Sequence, residues 1–232
     1  MVDYNCYIGT WPFFKIRKSG FEDLMKLHSE NGIAEAYVSS MNSIFYNDPY
    51  EGDLDLRKEI SGEGYHLVQT INPMLPGAIP SLDRGIKELK TEGVKVFPGF
   101  HGYDLSCPEM KVLTDKLREY KLPLFIVVRG DDERFAYMFT PPAVKTESIR
   151  EFVSENSDLE IYLCNIKMNE VCELKDIFLE FPNVYYEYSG LKGGMFPDEK
   201  LDENGLLHKG KYGSMWPFYC MRSSVLTYLQ EG

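Results

Sequence analysis

The sequence has few histidines and no Cys-x-x-Cys pair. These two absences limit the kinds of metal site and disulfide framework that the protein can form. Its histidines are only four: His28, His66, His101 and His208. A site built on several imidazoles therefore has few candidates. The five cysteines are an odd number and include no Cys-x-x-Cys pair, and Cys6 and Cys164 lie within apolar runs. We interpret the cysteines as core thiols in a reducing compartment rather than as a disulfide framework.

The sequence also lacks the features of several protein classes. No apolar run approaches the roughly 20 residues of a membrane span, and the first residues, MVDYNCYIGTWPFF, lack the basic-then-apolar layout of a signal peptide. Acidic residues outnumber basic ones, 36 to 25, and the resulting formal net charge of −11 disfavours binding to nucleic-acid phosphates. There is no serine nucleophile elbow, phosphate-binding glycine loop or dinucleotide fingerprint. We expect a cytoplasmic protein that binds neither nucleic acid nor membranes.

What the sequence does contain is a regular alternation of short apolar runs with amphipathic segments. The apolar runs predict eight strands, over residues 2–8, 33–39, 65–71, 94–97, 124–128, 159–164, 184–188 and 211–213. Helical periodicity predicts helices over 21–31, 53–61, 82–91, 109–120, 146–155, 169–180 and 223–230, and residues 192–210 predict a loop.

Eight strands that alternate with helices predict an α/β fold, a (β/α)₈ TIM barrel formed as a single domain by residues 1–232. The 232 residues lie near the short end of this fold's usual range of roughly 200 to 400. Because the last predicted helix is also brief, incomplete closure at the carboxyl terminus stays open as an alternative.

The fifth predicted strand ends in an unusually charged segment, LPLFIVVRGDDER over residues 122–134. The carboxyl ends of barrel strands carry the functional site in this fold. The charges therefore predict that Arg129 binds an anionic small molecule and that Asp132 and Glu133 supply acid–base groups. The alternative is a network of ion pairs that only fixes the loop.

Four further residues are candidates for the same end of the barrel. Lys95 lies within strand four and either enters the barrel or forms a salt bridge in its wall. His101, on the following loop, is either an acid–base group that titrates near neutral pH or the cap of a turn. Glu187 is a candidate base if it is buried. Trp11 would form an aromatic ligand rim, together with Tyr7, Phe13, Tyr212 and Trp216, or would simply pack.

Several segments, taken in order, resemble a known family. They are DYNCYIG at 3–9, INP at 71–73 with LPG at 75–77, GVKVFP at 93–98, FHGYD at 100–104, LP at 122–123, PNVY at 182–185 with SG at 189–190, and GS at 213–214 with WPF at 216–218. Their order and spacing resemble the amidohydrolase-related proteins of the amidohydrolase 2 type. The resemblance implies a TIM barrel and the chemistry of metal-dependent hydrolases and decarboxylases.

The resemblance also implies a divalent metal at the strand ends, but the residues at the expected ligand positions differ. The family's first-strand His-x-His and its later His and Asp ligands correspond here to Asn5, Tyr7, Phe97, Val127, Asn165 and Met215. Most of these side chains bind zinc poorly or not at all. We therefore expect no metal and no cofactor. Asn5 and Asn165 would hydrogen-bond a substrate, or pair with each other in a neutralised core.

Three functional hypotheses follow. The first is a metal-independent or weakly active hydrolase of a small, anionic metabolite. The second is a non-catalytic binding or interaction relative of the family. The third is a metal-dependent hydrolase or decarboxylase with substitute ligands such as His101, Asp131 and Glu187. The expected partners are a small-molecule ligand and, from the aromatic residues and the brief last helix, a second copy of the chain in a homodimer.

Overall fold

The computed structural model describes residues 1–130, 140–191 and 197–229. Within this part of the chain there are eight strands: β1 (Val2–Ile8), β2 (Glu35–Ser40), β3 (Tyr65–Thr70), β4 (Gly93–Val96), β5 (Leu124–Val127), β6 (Ile161–Cys164), β7 (Val184–Glu187) and β8 (Gly210–Lys211). They form one sheet in chain order, and every neighbouring pair is parallel. The predicted barrel is confirmed.

The helices of the described residues are α1 (Phe21–Glu30), α2 (Asn42–Phe45), α3 (Pro49–Glu59), α4 (Ala78–Arg84), α5 (Pro98–His101), α6 (Pro108–Tyr120), α7 (Thr146–Glu155), α8 (Met168–Glu173), α9 (Lys175–Glu180), α10 (Pro197–Glu203) and α11 (Met221–Leu229). Helix α4 continues as one turn of π-helix, Gly85–Leu89. Short 3₁₀ turns cover Tyr188–Gly190 and Leu207–Lys209.

The helices differ from the predicted ones in several places. Helices α2 and α5 were not predicted, and His101, which was expected on a loop, is the last residue of α5. Helix α4 begins at Ala78 rather than at residue 82. Helix α3 begins earlier than predicted because Asp48 caps it, its side chain accepting a hydrogen bond from Tyr50 N at 3.1 Å. The helix predicted over 169–180 is divided at Leu174 into α8 and α9. The predicted loop over 192–210 is wrong for residues 197–203, which form α10; of that range, 192–196 lie outside the described residues.

The strands separate two layers of apolar side chains. The outer layer packs the strands on the helices and includes Val94, Val96 and Ile126. The inner layer fills the barrel and includes Phe125 and Tyr162, whose rings stack with centroids 4.8 Å apart. Val94 and Val96 face the helices, and side chains alternate along a strand, so the side chain of Lys95 between them enters the barrel. This is one of the two orientations predicted for Lys95.

The barrel closes through the segment that follows β8. Tyr4 N donates to Tyr212 O at 2.9 Å, Tyr7 N donates to Trp216 O at 2.8 Å, and Met215 N donates to Asn5 O at 2.7 Å. These backbone hydrogen bonds link β1 to residues 212–216, which we call the closing segment. The closing segment joins the two edges of the sheet although β8 itself has two residues. Among the described helices, none combines the length and apolar character that crossing a membrane requires.

Candidate functional site

Glu187, at the end of β7, is buried inside the barrel and is surrounded by hydrogen-bond donors. Its carboxylate accepts from Asn5 Nδ2 at 3.1 Å, from Ser189 N at 2.7 Å, from Ser189 Oγ at 2.6 Å and from the backbone N–H of Asn165. A Cβ on Gly213 would lie 2.2 Å from Glu187 Oε2, so a glycine is needed there. Glu187 is thus buried, which was the condition for its role as a candidate base. All four of the hydrogen-bond donors named above belong to the protein itself.

Lys95 reaches the same group of side chains from β4. Its Nζ donates to Asn5 Oδ1 at 2.9 Å and lies over the rings of Tyr7 and Phe125, 4.4 and 5.5 Å from their centroids. Asn5 therefore bridges the two charged groups, accepting from Lys95 and donating to Glu187. We call this arrangement the Lys95–Asn5–Glu187 network. All three side chains have no solvent exposure.

Burial acts on the two charged groups in opposite directions. It lowers the pKa of Lys95, while nearby thiols and the Glu187 carboxylate oppose this shift. Burial raises the pKa of Glu187, while hydrogen bonds from Ser189, Asn165 and Asn5 oppose that shift. The contacts fit the ionised pair, because Glu187 is met by donors throughout and Lys95 faces aromatic rings, which attract a cation.

Asn165 and Arg129 form a second polar contact beside the network. Asn165 follows β6 with φ of 55°, and its Nδ2 donates to Arg129 O at 2.8 Å. Arg129 Nη1 donates to Asn165 O at 2.9 Å and to Glu170 Oε2, in α8, at 2.8 Å. Arg129 was predicted either to bind an anionic small molecule or to form an ion pair within the protein. Among the described residues it forms an ion pair with Glu170.

The other predicted acid–base residues lie apart from the network or outside the described residues. His101 Nε2 is 3.0 Å from Ile44 O, and burial lowers the pKa of the imidazole. His101 Nδ1 is buried with no partner among the described residues, and no described contact joins it to the network. The predicted Asp132 and Glu133, with Asp131 and Arg134, lie outside the described residues.

Aromatic side chains from β1 and from the helices and loops that follow the strands pack together next to the network. Trp11 is buried and contacts a set of rings, Phe13, Phe14, Phe45, Phe100 and Phe218, with centroids 4.7 to 6.4 Å away. Tyr7, whose ring faces Lys95, contacts Phe97 and Phe218. We call these rings the aromatic cover. Tyr212 and Trp216, which were expected beside Trp11, pack in the outer layer instead.

The residues at the family's ligand positions do not fit a divalent metal at this end of the barrel. The amide oxygen of Asn5 accepts from the ammonium of Lys95, and the amide of Asn165 is bonded to Arg129. Tyr7 carries the ring that faces Lys95, and the remaining three positions are buried apolar side chains, Phe97, Val127 and Met215. This donor set offers a metal ion no thiolate, imidazole or carboxylate.

Sequence reasoning missed three residues of the site: Tyr7 as a partner of Lys95, Ser189 as a double donor to Glu187, and Glu170 as the partner of Arg129. Ser189 had a signal, because a hydroxyl two residues after a carboxylate at a strand end can turn back and donate to it. Glu170 had none, since it lies 41 residues from Arg129.

The sequence itself has no match among family models or curated proteins. Solved structures do match. An amidohydrolase 2 from Bifidobacterium longum subsp. infantis is 15% identical, with 99% of this chain and 89% of that chain covered and a TM-score of 0.67. A probable 2-pyrone-4,6-dicarboxylic acid hydrolase from Acinetobacter baumannii, with citric acid bound, is 8% identical, with 99% and 91% covered and a TM-score of 0.65.

A dihydroxybenzoic acid decarboxylase from a Polaromonas species, with manganese and 2-nitroresorcinol bound, is 13% identical, with 99% and 90% covered and a TM-score of 0.66. At these identities the likeness establishes the fold alone. The chain therefore has the (β/α)₈ barrel found in amidohydrolase-type hydrolases and decarboxylases, which is consistent with the resemblance seen in its sequence.

Proposed function

We propose that the protein is an amidohydrolase-like hydrolase that acts on a small carboxylate without a divalent metal at the carboxyl end of its barrel. The observation that carries the proposal is the position of Lys95, whose Nζ is 2.9 Å from Asn5 Oδ1. Asn5 stands where the first ligand of the family's metal is expected. A fixed ammonium group therefore supplies positive charge where the relatives would hold a cation.

The proposed substrate class follows from that charge. A positive charge in a water-excluded site acts more strongly on an anion than it would in water. Citric acid and 2,6-dihydroxybenzoate are bound in two structures of similar fold, and both are small carboxylic acids. Lys95 would attract and orient the carboxylate from beneath the aromatic cover, and Asn5 would hold the ammonium group in place.

A second candidate function is binding without catalysis. Two observations favour it: Glu187 already accepts from four donors, and Arg129 is paired with Glu170. Groups that are fully engaged within the chain are poorly placed to exchange protons with a substrate. Under this alternative the network keeps the barrel interior neutral and well packed.

The proposal is tested with 2-pyrone-4,6-dicarboxylate as the probe. Calorimetry measures its binding in buffer without added metal, and loss of the pyrone absorbance measures hydrolysis of its ring ester. The variants are Lys95→Met and a control, Lys211→Met, because Lys211 also lies over a tyrosine ring, 4.4 Å from that of Tyr185. We expect binding that added manganese leaves unchanged and that Lys95→Met weakens about tenfold or more, roughly 1.4 kcal/mol, while Lys211→Met retains it.

Each other outcome is also decisive. Binding with no ring opening would favour the non-catalytic candidate. A requirement for added manganese, equal binding by wild type and Lys95→Met, or no binding of either the pyrone or citrate would overturn the proposal.

A further inference from the structure

Asp3, Cys6 and His28 form a compact cluster of metal-ligating groups outside the Lys95–Asn5–Glu187 network. One carboxylate oxygen, one thiol sulfur and one imidazole nitrogen lie within 4.8 Å of one another. None of the three residues is more than 1% exposed. Cys6 packs in the outer layer with Phe21 and Leu24 of α1, so the cluster lies between β1 and α1 rather than inside the barrel.

The backbone of β1 is irregular in the way that such a cluster requires. Residues three apart on a regular strand point to opposite faces, because side chains alternate with a period of two. The register of β1 against β2 shifts between Asp3 and Cys6, which is a bulge or irregularity at that point. Bulges re-aim side chains and are frequent beside functional sites. The shift lets Asp3 and Cys6 face α1 together.

The spacing of the oxygen and nitrogen fits two ligands of one ion. His28 Nε2 lies 3.3 Å from Asp3 Oδ2, a separation at which the two groups form a long hydrogen bond when no ion is between them. Two ligands of a tetrahedral zinc ion with bonds of about 2.0–2.1 Å lie about 3.3 Å apart. A sulfur ligand would lie about 3.6 Å from each of them; the three ligand atoms now lie within 4.8 Å of one another, and Cys6 Sγ, which is 3.6 Å from Tyr37 O, would exchange that weak contact for the ion.

The cluster also has the outer hydrogen bonds that orient metal ligands. The second oxygen of Asp3 accepts from Asn5 N at 3.1 Å and from Ser214 N at 2.9 Å. The second ring nitrogen of His28 is 3.3 Å from Tyr65 Oη. Metal-bound histidines and carboxylates characteristically have such partners on their free atoms.

From these four observations we propose that Asp3, Cys6 and His28 bind a divalent ion of the zinc type as a structural site. Thiolate, imidazole and carboxylate are the donors that zinc takes, and a water would complete a four-ligand shell. Binding would replace the proton of the Cys6 thiol by the metal and release that proton to the buffer. The ion would tie β1 to α1 and, through Ser214, to the closing segment.

The test uses cobalt(II), whose bond to a thiolate gives a charge-transfer absorption in the near ultraviolet. The protein is refolded with cobalt, because a buried site fills during folding. A variant that keeps Cys6 and has serine at the other four cysteines should show the band with one cobalt per chain. Cys6→Ser and His28→Gln should lose the band, and Cys164→Ser, which changes another buried thiol, should keep it.

Circular dichroism of each variant shows that it is folded, and zinc content by mass spectrometry gives a second readout that does not depend on activity. A folded wild-type protein that takes up neither cobalt nor zinc would overturn the proposal and leave Asp3 and His28 as a hydrogen-bonded pair. Metal that persists in folded Cys6→Ser would also overturn it. Because the cluster lies outside the barrel interior, its failure is distinguishable from failure of dicarboxylate binding.

Discussion

At the scale of single residues, Glu187 depends on a residue with no side chain. The Cβ of an alanine at position 213 would lie 2.2 Å from Glu187 Oε2. We expect Gly213→Ala to displace this carboxylate from its donors and to lower the free energy of unfolding by about 1–3 kcal/mol, the usual cost of overpacking. Urea unfolding followed by circular dichroism measures the change.

Gly20→Ala is the matched control, since a Cβ there would meet nothing within 4 Å. Because Gly20 is the N-cap of α1, where alanine is less favourable than glycine, we expect a small loss of stability that is clearly less than that of Gly213→Ala. Equal stability of both variants would contradict the close packing of Glu187 against residue 213.

Asp53 gives a prediction for the pH dependence of stability. Its buried carboxyl accepts from Ser43 Oγ at 2.7 Å and from Thr70 N at 3.0 Å, and burial holds its pKa well above the usual value. The folded state thus binds the proton more tightly than the unfolded state. The contribution of Asp53 is fully present below its unfolded pKa and is lost as pH rises through the folded pKa.

Asp53→Asn should remove this dependence, because an amide can accept from Thr70 N and donate to Ser43 Oγ without carrying charge. We expect the variant to melt at a higher temperature than wild type above the raised pKa, and at a similar temperature in acid. Thermal unfolding across a pH series measures both. A variant that is less stable than wild type above the raised pKa would show that the ionised carboxylate is preferred.

At the scale of elements, ion pairs between neighbouring segments differ in how deeply they are buried. Arg129, after β5, pairs with Glu170 in α8, and their side chains are 9% and 14% exposed. Arg150 in α7 pairs with Asp176 in α9, and their side chains are 36% and 58% exposed. Breaking a buried pair leaves an unpaired charge, whereas an exposed pair contributes little.

We therefore expect Glu170→Gln to lower the free energy of unfolding by about 3 kcal/mol and Asp176→Asn to lower it by less than about 1 kcal/mol. Chemical denaturation of the two variants beside wild type measures the difference. Similar losses in both would mean that Arg129 finds another partner when Glu170 is neutralised.

Elements with a single strong periodicity could be predicted closely from the sequence, and the others could not. β1 and α7 were predicted with the bounds that the structure has, because each has a clear apolar pattern and a clear end. Helix α10 was missed, since its polar segment has too few apolar residues to show helical spacing. The division at Leu174 depends on packing, which no local pattern records.

The site was also predictable only in part, because its contacts join residues that are far apart in the sequence. Lys95 within an apolar strand and Glu187 between two tyrosines are visible as anomalies in the sequence. The bridge between them is not, because Asn5 lies 90 residues from Lys95 and 182 from Glu187. Such contacts depend on the register around the whole barrel.

At the scale of the whole molecule, residues 212–216 close the sheet by backbone bonds to β1, and we predict that stability depends on this closure. We expect a chain that ends at Lys211 to lose the cooperative thermal transition and to bind a hydrophobic dye, because β1 keeps β2 but loses its bonds to the closing segment and the outer layer is uncovered. A chain that ends at Cys220 keeps the closing segment and lacks only the described α11. It should still melt cooperatively, at a lower temperature.

Circular dichroism and dye fluorescence on the two shortened chains measure the effect. A cooperative transition in the chain that ends at Lys211 would show that β1–β7 form a stable open sheet on their own.

Closure by residues 212–216 also bears on when the chain can fold. β1 leaves the ribosome before the other strands of this barrel, and three of its backbone groups bond to residues made more than two hundred positions later. Until those residues emerge, one edge of β1 stays unpaired and open to other chains. The barrel can therefore close only after residues 212–216 have been made, and until then the open edge of β1 is the part of the nascent chain that most needs protection from other strands.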